Sequence, residues 1–265
     1  MGQIFPIFAA LMLSGCTKPV PPVQPVDPEA PITIGWRLVP GMELEAVVET
    51  THTVGEDRAW RIENWRYLIR RMDDHGAVTL EGSLTALDAG LTHEQQPLTP
   101  SSLKRAIRTE IERVQSSGVH LRIVLDGTVS SLDATSWDDA LGHLLISMAL
   151  PPEPVQPGMA WPDLAPARAV SALLPSDIGV KLQGEQRFIG VVYQHDRWLA
   201  EIAYNGRVTP DDEQVNDLVL WGKTYWDLSR GALYQRELVL TQPGEGGASA
   251  EIGALTVELS VELSR

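Results

Sequence analysis

The single thiol is the chain's most distinctive chemical group. Cys16 closes the tetrapeptide Leu13-Ser14-Gly15-Cys16, directly behind an uncharged apolar run from Ile4 to Leu13. The small side chains of Ser14 and Gly15 let a peptidase groove close around an extended backbone, and the thiol that follows is an acyl acceptor. Ten apolar residues are too few to cross a hydrocarbon core of about 30 Å as a helix, but they suit the core of a signal peptide. A lone cysteine also excludes a disulfide framework and any cysteine-based structural zinc site.

The other groups that do chemistry are scattered. The six histidines, His52, His75, His93, His120, His143 and His195, include no pair at helical metal-clamp spacing, and His93-Glu94 has no second histidine four residues after the first. His75 and His195 fall in predicted turns beside Asp74 and Asp196, while His143 lies one helical turn from Asp139 as an ordinary surface pair. There is no Gly-x-Ser-x-Gly elbow. Gly244-Glu245-Gly246-Gly247 carries an acid and no following lysine, so it reads as a hairpin loop rather than a phosphate cradle. The acidic pairs Asp73-Asp74, Asp138-Asp139 and Asp211-Asp212 lack the alternating oxygen ligands and turn glycine of a calcium loop. The expectation is therefore no metal, no catalytic motif and no cofactor beyond a covalent lipid. Paired carboxylates for glycan hydrolysis are a tertiary property, which keeps an envelope hydrolase acting on glycan or peptidoglycan as the alternative.

Leu13-Ser14-Gly15-Cys16 resembles the lipobox of bacterial lipoproteins. The resemblance implies cleavage between Gly15 and Cys16, a diacylglycerol thioether on Cys16 and acylation of the new amino group. Residues 1–15 are then a signal peptide, and the lipid is the membrane attachment. Thr17 rather than Asp after the cysteine implies, in the same family, the outer membrane with the domain facing the periplasm. Residues 16–31 hold six of the nineteen prolines and no apolar periodicity. Such a linker favours polyproline II, and it reaches on the order of 40 Å.

Stepping along residues 32–265, the dominant period is two. Leu255, Val257, Leu259, Val261 and Leu263 alternate with polar residues, and so do the runs Trp65–Ile69, Trp198–Tyr204 and Leu233–Leu240. Polar clusters at Asp73-Asp74-His75-Gly76, Asp126-Gly127, Gln194-His195-Asp196, Asn205-Gly206 and Ser229-Arg230-Gly231 read as hairpin turns. The expected fold is mainly β (α+β): an antiparallel, curved sheet or half-barrel with one or two helices. Trp137, Leu141, Leu144, Leu145 and Met148 share one helical face between a Thr135 or Ser136 cap and Pro151-Pro152. Leu103, Ile107, Ile111 and Val114 also recur at helical spacing, with Arg105 and Arg108 outside, although Ile107-Thr109-Ile111 fits a strand equally. Pro40-Gly41-Met42 and Pro157-Gly158-Met159 each precede a long strand, a charged turn and a return strand. That recurrence points to two β-rich halves, 32–134 and 153–265, joined by a helix, with chance recurrence as the competing explanation. The order of elements resembles uncharacterised envelope lipoproteins of Gram-negative bacteria. More distantly it resembles half-barrel lipoprotein carriers of the periplasm, a likeness that implies an apolar ligand held against a curved sheet.

Composition narrows the partners. The 265 residues carry 21 Lys+Arg against 35 Asp+Glu, a formal charge of −14. A body so acidic repels phosphate backbones and excludes nucleic acid as a partner. All eight tryptophans lie in the body, whereas Phe188 is its only phenylalanine. Trp60 and Trp65 are an odd number apart, as are Trp221 and Trp226, so within one regular strand the members of each pair face opposite sides of the sheet. One member of each pair is expected at a surface or pocket. The functional expectation is a non-enzymatic, membrane-anchored envelope lipoprotein whose β-rich domain binds an apolar ligand or an envelope protein; a purely structural surface module is a further alternative.

Overall fold

The computed structural model describes residues 30–54, 57–74, 77–93, 96–98, 105, 108, 109, 112, 119–123, 129–133, 148–171, 178–212, 215–243 and 249–262. The predicted signal peptide, nearly all of the linker with Gly15 and Cys16, the Asp126-Gly127 turn and most of the helix predicted around Trp137 lie outside the described residues.

Among the described residues twelve strands form one antiparallel sheet, and the four period-two runs fall on strands of it. In chain order they are β1 (Glu43–Val54), β2 (Asp57–Met72), β3 (Val78–His93), β4 (Gln96–Leu98), β5 (Val119–Ile123), β6 (Val129–Asp133), β7 (Ala160–Pro162), β8 (Val180–Gln194), β9 (Arg197–Pro210), β10 (Leu218–Asp227), β11 (Ala232–Pro243) and β12 (Ser249–Glu262). Their spatial order is β6-β5-β3-β2-β1-β12-β11-β10-β9-β8-β7, with β4 paired to β3 off this path. The first and last strands therefore meet in the middle of the sheet, Leu44 opposite Val261. β6 and β7 stand at the two edges, so the sheet is open and not a barrel. A short helix, Ala165–Ser171, follows β7. Among the described residues no helix is long and apolar enough to cross a membrane.

One face of the sheet carries the core. Leu44, Ala46 and Val48 on β1, Trp65, Tyr67 and Ile69 on β2, and Phe188, Ile202 and Leu220 on the far side are all buried. The cover is built from irregular chain: Ile34 and Leu38 ahead of β1, Met148, Leu150 and Val155 ahead of β7, and Ala167 and Val170 of the helix. Ile32 and Val155 exchange backbone hydrogen bonds of 2.9 and 2.8 Å, which ties the two covering segments together. At roughly 25 cal/mol per Å² of apolar area removed from water, one-sided burial over so many strands is what holds the sheet to its cover.

The turn predictions divide. Gln194–Arg197 is a tight hairpin with positive φ at His195 and Asp196, and Gly231 (φ 61) ends the β10–β11 turn. Asp73 accepts from the Ala77 amide through its side chain at 2.9 Å and donates its own amide to the Ala77 carbonyl. Asn205-Gly206, however, is no turn. It lies in the middle of β9, where Gly206 pairs with Gly184 on one side and Leu220 on the other. The alternation of Ile202, Tyr204 and Val208 runs straight through it, and burying those side chains outweighs the local turn preference of an Asn-Gly pair. In the ambiguous segment Arg105, Arg108, Thr109 and Glu112 are helical and exposed, whereas Leu103, Ile107, Ile111 and Val114 lie outside the described residues. Met148, the last member of the other predicted helical face, is buried in non-helical chain.

The two Pro-Gly-Met turns share one bonding pattern. Each is a type II turn, with proline second and a glycine at φ 89 third. The methionine amide donates back to Val39 at 3.1 Å or Gln156 at 3.0 Å. Gly41 donates to the Ile69 carbonyl at 2.9 Å and Gly158 to that of Phe188 at 2.8 Å, while the amides of Ile69 and Phe188 donate to Met42 and Met159. Even the thioethers match, Met42 Sδ lying 3.3 Å from the Val39 amide and Met159 Sδ 3.2 Å from that of Gln156. A register shift follows the contacted residue in both places, Ile69/Arg71 and Phe188/Gly190.

Because both glycines sit in the left-handed region, Gly41→Ala and Gly158→Ala should each cost about 1–3 kcal/mol of stability in urea denaturation, and by similar amounts. Gly35→Ala, at a position with open space and no left-handed φ, should leave the midpoint unchanged.

Candidate functional site

Parity explains most of what the inner face holds. On β8 the inward residues are Gly184, Gln186 and Phe188; on β9 Ala200, Ile202, Tyr204 and Gly206; on β10 Leu220, Gly222, Thr224 and Trp226; on β11 Arg236 and Leu238. Polar side chains thus enter an apolar face on four adjacent strands, and those of Gln186 and Arg236 meet at Asp163, just after β7.

Asp163 is 1% exposed and serves several partners. Its amide donates to the Gly184 carbonyl at 3.0 Å, which extends the short β7 pairing. One carboxylate oxygen accepts from the Ala165 amide at 3.1 Å and caps the helix. The other accepts from Arg236 Nη2 at 3.3 Å and from the Gln186 side-chain amide. Gln186 also reaches toward the Ala149 carbonyl, which accepts a 2.7 Å bond from Trp161 Nε1. The Arg236 guanidinium lies 5.8 Å from the centre of the Tyr204 ring. A Cβ at Gly184 would strike the Asp163 backbone carbonyl and then the Tyr204 hydroxyl, and one at Gly206 would strike that hydroxyl. That hydroxyl sits beside the Ala167 backbone, is buried and makes no well-formed hydrogen bond, as is true of Thr224 Oγ1 and Gln186 Oε1. Burial raises the Tyr204 pKa above the usual 10.0, and the Asp163 charge raises it further against the opposing pull of Arg236.

Among the described residues two other carboxylates are buried, each paired with an arginine. Glu63 on β2 pairs with Arg61 and accepts from Trp65 Nε1 at 2.9 Å. Asp227, at the end of β10, accepts from Arg197 Nη1 at 3.1 Å through one oxygen, and through the other from the Ser229 amide, the Ser229 hydroxyl and the Arg230 amide. The first joins residues of β2 to one another, and the second builds the β10–β11 turn.

The tryptophans sort as their spacing requires. Trp65 and Trp226 are each 1% exposed, whereas Trp221 is 49% exposed on the outer face. Trp60 is half-buried on the face opposite Trp65, its indole filling the space over Gly90, the residue it pairs with on β3. Trp36 packs edge-on against Trp226 with ring centres 4.6 Å apart. Trp161 is buried, Trp198 meets Tyr193 at 5.0 Å, and Trp137 lies outside the described residues. Among the histidines only His195 has a described side chain; it lies at a hairpin tip, 6.1 Å from the Tyr234 ring, away from the Asp163 cluster. Asp211 and Asp212 occupy the turn after β9, where Asp211 pairs with Lys181 at 3.6 Å. Asp138-Asp139 and His143 lie outside the described residues.

Sequence reading did not single out Asp163, Gln186 or Arg236. The signal was present: Arg236 shares parity with Leu238 and Leu240, and Gln186 shares it with Phe188. A charged residue on the apolar parity of a strand is a candidate for a buried pair. The helix was missed as well, although Asp163 followed by Pro166 in the first turn is an N-terminal signature.

No family model matches the chain, and no curated protein matches it. Among solved structures, one entitled "Lipid-protein interactions in lipovitellin" is similar with a TM-score of 0.44 and 12% identity, covering 84% of this chain and 25% of that one. A putative outer membrane lipoprotein-sorting protein domain from Vibrio parahaemolyticus is similar with a TM-score of 0.19 and 6% identity, covering 84% of this chain and 86% of that one. Likenesses at this level assign neither a fold family nor a function.

Removing one partner of the buried pair leaves the other charge stranded, so Arg236→Met should cost about 3–5 kcal/mol in urea denaturation. The raised Tyr204 pKa has a definite sign. The folded state keeps a proton that the unfolded chain gives up, so stability is full below pH 10.0 and falls as pH rises beyond it. Thermal melting between pH 8 and 11 should show that loss in the wild type and a shallower one in Tyr204→Phe.

Proposed function

We propose that this chain is a lipid-anchored envelope protein whose β-rich domain holds an apolar ligand against the inner face of its sheet. The observation that carries this reading is the asymmetry of the fold. Among the described residues a broad apolar sheet face is covered by irregular segments and a two-turn helix, and these are fastened through a few polar contacts centred on Asp163. A cover of that construction separates from a sheet at lower cost than a continuous apolar layer does, because it buries less area per contact.

The anchor belongs to the same reading. Residues 1–15 are a signal peptide, Cys16 carries the lipid and residues 16–31 tether the domain on the periplasmic side of the outer membrane. Two or more acyl chains give stable attachment where one is marginal, and a body of charge −14 is not held to an anionic surface by its own side chains. The matched Pro-Gly-Met turns and the register shifts that follow them support reading 32–134 and 153–265 as two copies of one unit. The buried carboxylates Glu63, Asp163 and Asp227 are each paired with an arginine, and an envelope hydrolase remains the alternative reading, which two free carboxylates about 5–10 Å apart in a cleft would favour.

Two measurements test this. Metabolic labelling of cells with a fatty-acid analogue should mark the wild type and not Cys16→Ser; equal labelling removes the anchor. Titration of the full-length chain in mild detergent with a fluorescent long-chain fatty acid should give saturable binding of about one probe per chain, and a linear, non-saturating response removes the apolar-ligand reading.

A further inference from the structure

The outer face of β8–β10 carries a feature that neither the anchor nor the inner face uses. Trp221 stands half-exposed in the middle of β10, with Asn205 and Val239 as its cross-strand neighbours. Asn205 pairs in turn with Glu185 on β8, and the next outward pair is Gln183 with Arg207. These four side chains, with the backbone at Gly184 and Gly206 and the exposed Leu164, line a shallow cleft of about 570 Å³. The indole and the cleft are thus contiguous through Asn205, and together they run across the strands from β10 to the β7 edge.

The chemistry of this strip is specific. It offers one flat apolar ring, two planar amides, one carboxylate and one guanidinium. The charges are already matched locally: Glu185 lies 2.9 Å from Arg187, and Arg207 lies 3.7 Å from Asp217. A surface that is locally neutral, on a body of charge −14, gives no attraction to a polyanion. An aliphatic ligand has nothing to gain from a cleft walled by amides and charges. A ligand that fits presents an apolar C–H face for the indole and a dense rim of hydroxyls and amides for Asn205, Gln183, Glu185 and Arg207, and this describes an uncharged saccharide chain.

We propose that the outer face of β8–β10 binds a neutral glycan, with Trp221 as the stacking platform and Asn205, Gln183, Glu185 and Arg207 as its hydrogen-bonding wall. The strip lies on the opposite side of the sheet from the Asp163 cluster, so both ligands can be carried at once.

The test is calorimetric titration of the full-length chain with a linear β-1,4-linked N-acetylglucosamine tetramer, with polygalacturonate as an anionic comparator. Saturable binding of the tetramer is expected. Trp221→Ala should weaken it roughly tenfold, Asn205→Ala should weaken it in the same direction, and Trp221→Phe should retain most of it. Circular dichroism and melting should be unchanged in all three, since none of these side chains lies in the core. Absence of saturable tetramer binding, wild-type binding in Trp221→Ala, or tighter binding of the anionic comparator overturns the proposal. The fatty-acid titration run on the same variants separates the two readings: it should not respond to Trp221→Ala, and its failure alone leaves the glycan site standing.

Discussion

The architecture depends on the desolvated carboxylate of Asp163. It caps the helix, fixes β7 to β8 through its own amide, and meets a guanidinium that comes from three strands away on β11. With both partners almost fully buried, neither charge is tolerable without the other. The pair therefore acts less as a source of stability than as a condition on geometry. The helix, the edge strand and the inner surface of the sheet must arrive together or a charge is left in an apolar interior. The glycines at 184 and 206 belong to the same constraint, because they make room for the Tyr204 ring that lies beneath the pair.

A sheet with only one buried face must otherwise solve its cover with whatever chain is at hand. Among the described residues the cover comes from the segment before β1, the segment before β7 and the helix after it, the first two joined by the Ile32–Val155 bridge. Each of those two runs into a Pro-Gly-Met turn that hands it to the sheet at a backbone pair with matching bonds. The same local solution, used twice, places Met42 and Met159 at corresponding points, one buried and the other exposed according to what covers it.

Much of this was legible from residue spacing. Period-two alternation marked β2, β9, β11 and β12, polar clusters marked the hairpins at His195 and Gly231, and an odd spacing correctly separated Trp65 from Trp60 and Trp226 from Trp221. The failures have physical causes. Asn205-Gly206 carries a strong local turn signal, but its neighbours bury more by continuing the strand. The helix at Ala165–Ser171 is too short to show a period and exists because Asp163 caps it. The Asp163–Arg236 pair was invisible in a different way, since parity can say that Arg236 points inward but not which acid, 73 residues away in sequence, waits for it.

The strand order carries a last consequence, which concerns how the domain comes into being. β1 lies between β2 and β12, so its second neighbour is the last strand of the sheet. Until that strand is present, β1 and β11 are both bare edges in what will become the middle of the molecule, each offering a row of unpaired amides and carbonyls. Pairings across so long a separation in sequence form slowly. A chain emerging in order must therefore keep two half-sheets apart from other copies of themselves until the final strand closes them, and the acidic charge spread over the body gives nascent chains a reason to stay separate meanwhile.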